Sequence, residues 1–434
     1  MDSDPPPARG SAPRRVGFRI AFVFFVLYAL PFPLVPFTLG FLPDAAVKAV
    51  SERLHAPYAE GMDAAVKWVG KACFGLEITI GPAGSGDTTW NYVQLAAFAA
   101  VAAAAALLWT LLDRRGRDHD RLHDGLRVYL RFYLSTTMLG YGAMKVIKSQ
   151  FVTPGLDRLM QPFGEHSPMG LLWDFMGFSD AYCIFTGAAE MSGGALLVAR
   201  RTTTFGALVS TGVLANVVML NFCFDTPVKL FSSVLLAMAL FLALPDAGRL
   251  CDFLLFHRPF RLAPLGSLFR WRWANVSAIV LRTAFVGAST WSLLAMSWSY
   301  RKQGDLAPRP PLYGAWDVEV FEVDGELVPE ESGAGRWRRI LLGRYRGRID
   351  RQDGSMQLFA AQASPAADRL TLTRRDEPSS QAVFTCLQPT SDILTLDGAF
   401  EGRELHVELT RSLEDPFLLT RRGFHWINET PFNR

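Results

Sequence analysis

Residues 181–199 form an apolar run long enough to cross a bilayer, and Glu190 stands in the middle of it. A carboxylate at that depth costs roughly 2.5–3.5 kcal/mol on insertion scales, so it is retained where it has a partner or a task. The run belongs to a longer stretch, 127–246, in which four apolar segments carry Arg131, Tyr141, Lys145, Glu190, Asn216 and Asn221. The rest of the chain reads as support for this bundle.

Of the 434 residues, 50% are hydrophobic and 20% charged, a balance that belongs to membrane proteins. The net charge of +3 carries little information, but the basic residues cluster between apolar runs, as the positive-inside rule requires. Nucleic acid is therefore not an expected partner, and the lipid bilayer is. Cys73, Cys183, Cys223, Cys251 and Cys386 form no CxxC pair, so no metal site is expected. All the histidines lie outside the apolar runs, which leaves a membrane haem without axial ligands. No tightly bound cofactor is predicted.

In chain order, residues 1–16 read as a disordered basic tail, and 17–41 as a first span, too long for a secretory signal. An outer loop, 42–89, contains an amphipathic helix over 44–69, and Asp87 or Thr88 caps a second span at 91–112. Arg114, Arg115 and Arg117 mark a cytoplasmic loop; His119 and His123 there, spaced i,i+4, read as a solvated face rather than a metal site. Further spans are expected at 128–147, 181–199, 203–222, 227–244 and 276–298, with an outer loop at 148–179 and a basic loop at 246–274. Thr226 and Pro227 are expected to open the sixth span as N-cap and first helical residue. The fold class is thus an α-helical polytopic membrane bundle of about seven transmembrane helices over 17–300, with a cytoplasmic N-terminus and an exported C-terminus.

A Pro-rich linker, 301–312, leads to a domain at 313–434 with short alternating runs at 316–323, 347–350, 355–360, 369–373, 382–387, 393–400, 404–410 and 417–420. These predict a small antiparallel β-barrel. Its opening Gly314-Ala315-Trp316 resembles the lipocalin or calycin motif, which implies a Trp plugging the barrel end beneath a basic residue of the last strand, here Arg421 or Arg422.

Within the bundle, Arg131, Ser135, Met138, Gly142 and Lys145 share one helical face, as do Cys183, Gly187, Glu190 and Gly194. The glycines allow close helix approach. With a rise of 1.5 Å per residue, Glu190 lies about 14 Å below the outer end of its span and Lys145 only a few Å deep, so Tyr141 and Asn216 are the expected partners of Glu190. Cys183 and Cys223, near the same end of adjacent helices, are a candidate dithiol pair or two small buried packers. Asp225 and Lys229 read as a local i,i+4 ion pair.

Arg131 with Tyr141-Gly142 and Lys145, followed by Glu190 with Gly193-Gly194 and Leu196-Leu197, resembles the DoxX pattern of four-helix membrane proteins over about 127–246. Ser167-Pro168-Met169-Gly170 and residues 221–229 resemble a larger DoxX-like subgroup with extra helices and a C-terminal barrel. The resemblance implies a bacterial inner membrane protein associated with membrane redox complexes. The leading expectation is an accessory subunit that binds a quinone or similar small apolar ligand near Glu190, works with a redox partner protein and presents its barrel to the periplasm. Two alternatives stand beside it: a transport or lipid-handling protein whose barrel takes an apolar molecule, and a non-catalytic scaffold in which Glu190, Lys145 and Asn216 only lock helices together.

Overall fold

The computed structural model describes residues 12–34, 39–79, 84–113, 119–258, 270–332, 335–344, 346–364, 366–374, 377, 379–412 and 417–433. The tail before Ala12, the arginines at 114, 115 and 117, and residues 81–83 and 259–269 of the predicted loops lie outside them. The chain divides into a helical unit, 1–151 with 168–301, and a barrel unit, 152–167 with 302–434. Residues 152–167, expected to be only an outer loop between spans, belong to the barrel unit.

The helical unit contains α1 (Ala12–Ala29), α2 (Ala56–Phe74), α3 (Thr89–Leu112), α4 (Asp120–Val146), α5 (Asp180–Val198), α6 (Thr203–Cys223), α7 (Lys229–Ala243) and α8 (Arg272–Gln303). Five helical segments among the described residues are long and apolar enough to cross a membrane: Thr89–Leu112, Asp180–Val198, Arg200–Cys223, Lys229–Leu254 and Arg272–Gln303. This is fewer than the seven expected. The predicted first span stops at Ala29, before Pro31 and Pro33, whose nitrogens cannot donate to a helix. The helix instead begins at Ala12, inside the predicted tail, and carries Arg14, Arg15 and Arg19. The predicted third span is a helix, α4, but one studded with Asp120, Arg121, Asp124, Arg127, Arg131 and Lys145. Both helices nonetheless contribute to the apolar core, α1 through Phe25 and α4 through Leu126, Leu130, Leu134 and Met138.

Glycines set the spacing of the bundle. A Cβ on Gly142 would lie 2.6 Å from the Gly187 carbonyl, one on Gly194 2.9 Å from the Ser135 carbonyl, and one on Gly206 2.9 Å from the backbone of Leu196. The backbones of α4, α5 and α6 therefore touch, at separations no larger residue permits.

The barrel unit follows from its alternating strands: β1 (Gly314–Val323), β2 (Glu326–Leu327), β3 (Trp337–Leu342), β4 (Arg346–Arg351), β5 (Met356–Ala363), β6 (Arg369–Arg374), β7 (Gln381–Thr390), β8 (Ile393–Phe400) and β9 (Arg403–Arg411). Neighbours in the sequence pair antiparallel from β3 to β9, and β1 pairs with both β3 and β9, closing eight strands with the two-residue β2 appended. Trp316, Trp337, Phe359, Phe384 and Phe400 fill the interior with leucines from β6, β8 and β9.

Two predictions fail here. β3 was missed because Arg338 and Arg339 interrupt its apolar pattern, and the last expected strand, 417–420, is a turn of helix, Leu418–Arg421. The barrel therefore ends at Arg411, and it is Arg411 whose guanidinium lies 4.4 Å from the Trp316 ring. Neither Arg421 nor Arg422 is that residue; Arg422 packs on Phe432 instead.

The segment 152–167 explains an oddity of β3 and β4. Leu341, Arg348 and Asp350 are buried although their neighbours Ile340 and Ile349 already fill the core. A short helix, Leu156–Leu159, packs on both strands, and Arg348 donates to the carbonyls of Asp157 (2.9 Å) and Met160 (3.3 Å) while its guanidinium grips Asp350 at 2.6 and 2.9 Å. Thr153 is tied in turn to Asp305 at 3.1 Å through both its amide and its hydroxyl.

Candidate functional site

The seam between α4 and α5 carries the predicted polar residues, and the structure sorts them into separate jobs. Glu190 is 5% exposed. Its carboxylate meets Lys145 Nζ, which lies 3.0 Å from each oxygen. The sequence argument favoured Tyr141 and Asn216 over Lys145 as the partners of Glu190. Gly142 packs against Gly187 and Met191, so Tyr141 lies about level with Glu190 but does not bond it, and Lys145 lies about one turn, roughly 5 Å, further along α4. The lysine stem covers that turn, bringing its charge down to the carboxylate. The ammonium also lies 5.7 Å from the Tyr141 ring centre and 5.9 Å from that of Phe151.

Arg131 does not join this pair. Its Nε and Nη2 donate to the carbonyls of Leu197 (3.0 Å) and Val198 (2.9 Å), so the side chain caps the C-terminus of α5, where a cation also meets the negative end of the helix dipole. Ser135 Oγ donates to the Gly194 carbonyl at 2.8 Å. Asn221 is buried but bonds Ser232 of α7 at 3.0 Å, and Asn216, expected beside Glu190, is exposed on the outside of α6. Cys183 is buried with its thiol directed to the Lys145 carbonyl at 3.4 Å; Cys223 is exposed, and both thiols are free. Of the two, only Cys183 is a buried packer.

Beside the seam lies a cavity of about 320 Å³, bounded by Tyr28, Gln94, Leu95, Tyr141, Leu230 and Phe231 and rimmed by Ser85 and Gly86. Tyr141 is the one residue shared by seam and cavity; its ring is 6.0 Å from that of Phe231. The side chains of Tyr28, Gln94 and Tyr141 have no hydrogen-bond partner among the described residues. The rim is fixed from two sides. Gly86 N donates to the Pro227 carbonyl at 2.8 Å, and Asp87 accepts from the backbone N–H groups of Lys229 (2.8 Å) and Leu230 (3.0 Å). Asp87 therefore caps α7 from another part of the chain, whereas Thr226 and Pro227 lie outside that helix, and Thr88 with Asn91 forms the capping box of α3.

Sequence reasoning missed a second buried ionic cluster. Arg19, 2% exposed, donates to Asp113 (2.5 Å), Thr110 (2.8 Å) and His119 Nε2. His119 thus belongs to a buried network and not to a solvated face. The signal was present: Arg19 interrupts an apolar run just as Glu190 does. Lys148, buried and ion-paired to Asp180, closes one end of the α4–α5 seam and was missed because it falls one residue beyond the predicted span, 128–147.

No family model matches this chain. A stretch of 138 residues, 31% of the chain and 86% of the relative, is 29% identical to the uncharacterized protein YwoB of Bacillus subtilis (strain 168). No solved structure matches either. The DoxX and lipocalin resemblances accordingly rest on their motifs alone. Among the described residues no cluster of His, Cys, Asp or Glu has the makings of a metal site.

Proposed function

We propose that the helical unit binds a small apolar ligand with a hydrogen-bond-accepting head in the cavity between Tyr28, Gln94 and Tyr141, and that a quinone is the ligand class that fits. The observation that carries the reading is the lining: two phenol hydroxyls and a carboxamide without partners among the described residues, set against Leu95, Leu230 and Phe231. Concave, mostly apolar sites with a few free polar groups are the usual form of a small-molecule site. Quinone carbonyls accept hydrogen bonds from such donors, and the ring stacks on an aromatic shelf. In this reading Glu190 does not touch the ligand. It anchors Lys145, which packs beside Tyr141 and holds that ring at the cavity wall.

With no haem ligands in the apolar runs and no cysteine cluster, electrons would come from a partner protein, which makes this an accessory component of a membrane redox system. A bacterial inner membrane, a cytoplasmic N-terminus and a periplasmic barrel are part of the same proposal. The barrel interior, packed with Trp316, Trp337, Phe384 and Phe400, argues against the alternative in which it carries a lipid. The scaffold alternative draws support from the fully paired Lys145–Glu190 contact. The deciding experiment is purification in mild detergent followed by extraction and chromatography of bound quinone. Wild type is expected to retain quinone in near-stoichiometric amounts and Tyr141→Phe/Gln94→Leu to lose at least tenfold. Equal content in both, or none in wild type, overturns the proposal in favour of the scaffold.

A further inference from the structure

The barrel unit does not end at its last strand. After Arg411 the chain continues into a short structured segment, 417–433, that contributes nothing to the barrel core. Leu418–Arg421 forms one turn of helix, Gly423 takes a left-handed conformation (φ +68°), and Arg422 ties the segment together, donating to Asn428 at 2.7 Å and lying 3.9 Å from the Phe432 ring. This local order pushes large apolar side chains outward. Trp426 is 91% exposed, Phe424 78% and Ile427 77%, and the two aromatic rings meet edge to face at 5.1 Å.

Exposed aromatic and aliphatic groups of this size next to basic residues match the composition of a membrane interface. Trp and Phe settle at headgroup level, and Arg pairs with anionic lipid. Two arginines stand against one acid here, Arg421 and Arg422 against Glu429. The bilayer is also the partner that the chain itself brings near. Among the described residues five helical segments are suited to crossing a membrane, and the barrel unit is joined to the helical unit at three places in the chain, 151/152, 167/168 and 301/302. Residues 304–313, between α8 and β1, reach at most about 35 Å. Such tethering raises the effective concentration of the lipid surface far above that of any free partner.

We infer that the segment 417–433 is an interfacial anchor that inserts Phe424, Trp426 and Ile427 into the headgroup region of an anionic bilayer. The inference is independent of the proposed ligand cavity. It is tested on the full chain in nanodiscs of phosphatidylglycerol with brominated acyl chains, taking the emission of Trp426 as the difference between wild type and Trp426→Phe. Quenching of that difference signal by at least half is expected, together with trypsin cleavage after Arg421 and Arg422 at least tenfold slower than in phosphatidylcholine nanodiscs. An unquenched Trp426 with equal cleavage in both lipids overturns the inference. So does protection that appears only when two copies share a nanodisc, because the occupant is then a second chain.

Discussion

Lys145 Nζ sits 3.0 Å from both carboxylate oxygens of Glu190, in a seam where the side chains are 10% and 7% exposed. Desolvating two charges is expensive, and removing one partner of such a pair leaves the other uncompensated, at about 3–5 kcal/mol. Glu190→Gln and Lys145→Met are therefore each expected to be strongly destabilising, while Lys145→Met/Glu190→Leu recovers most of the loss. Denaturant titration in detergent of the three variants measures this. A double variant as unstable as the two single losses added together would show the pair to be independent of one another.

Gly187 makes the pair possible. A Cβ there would stand 2.7 Å from Lys145 Cβ and 2.8 Å from Val146 N, so Gly187→Ala must push α4 from α5. Overpacking of this kind costs about 1–3 kcal/mol. Gly212 in α6 has nothing within 4 Å, and Gly212→Ala is expected to be neutral or slightly stabilising because alanine is the better helix former. The contrast between the two variants in thermal denaturation separates packing from propensity.

In the barrel, Trp316 is fully buried, donates its indole N–H to the Leu312 carbonyl at 3.0 Å and carries the Arg411 guanidinium on its face. Arg411 also donates to the carbonyls of Tyr313 and Ser391, which holds the ends of β1 and β8 together. Trp316→Ala is expected to cost about 3–5 kcal/mol. Arg411→Lys keeps the charge but loses the planar fork, and is expected to cost about 1–2 kcal/mol. Near-ultraviolet circular dichroism melts report both.

Two titrating groups give the barrel a pH dependence with opposite limbs. Burial opposes ionisation of Asp317, but hydrogen bonds from Arg339 and Ser412 outweigh it and hold the carboxyl below the usual carboxylate range. Its contribution is complete above about pH 4, the unfolded value, and is lost as pH falls through the lower folded value. His406 bonds Asp397 at 2.5 Å, and this bond raises its pKa against a weaker opposing effect of burial. That contribution is present below about pH 6.5 and lost as pH rises through the raised folded value. Asp317→Asn should flatten the acid limb of the melting temperature, and His406→Gln the limb above pH 6.5, each leaving the other unchanged.

Much of this arrangement was legible in periodicity. The shared face of Gly142 and Lys145, the facing set of Gly187, Glu190 and Gly194, and the alternation of seven barrel strands all follow from spacing along one element. What escaped depends on a second element. Arg131 looks like a buried charge in search of an anion until the end of α5 supplies two carbonyls. Asn216 and Asn221 differ by little more than one turn, yet only Asn221 faces α7, and no pattern within α6 decides that. The burial of Leu341 and Arg348 does not follow from strand alternation because their cover, 152–167, comes from nearly two hundred residues away in the sequence.

Asp87 shows the same dependence and yields a separate test. Its two oxygens accept the N–H groups of Lys229 and Leu230 at 2.8 and 3.0 Å, so it serves both as the cap of α7 and as the clamp that joins the 84–88 turn to the cavity rim. An anion also complements the positive end of the α7 dipole. Asp87→Ala leaves both donors unpaired and is expected to cost about 1–2 kcal/mol, while Asp87→Asn, still an acceptor for one of them, should cost roughly half as much. If the cavity binds quinone, loosening its rim should lower quinone content in Asp87→Ala more than in Asp87→Asn, with both proteins still folded by far-ultraviolet circular dichroism. A loss of stability without any change in quinone retention would confine Asp87 to capping and detach the rim from the binding site.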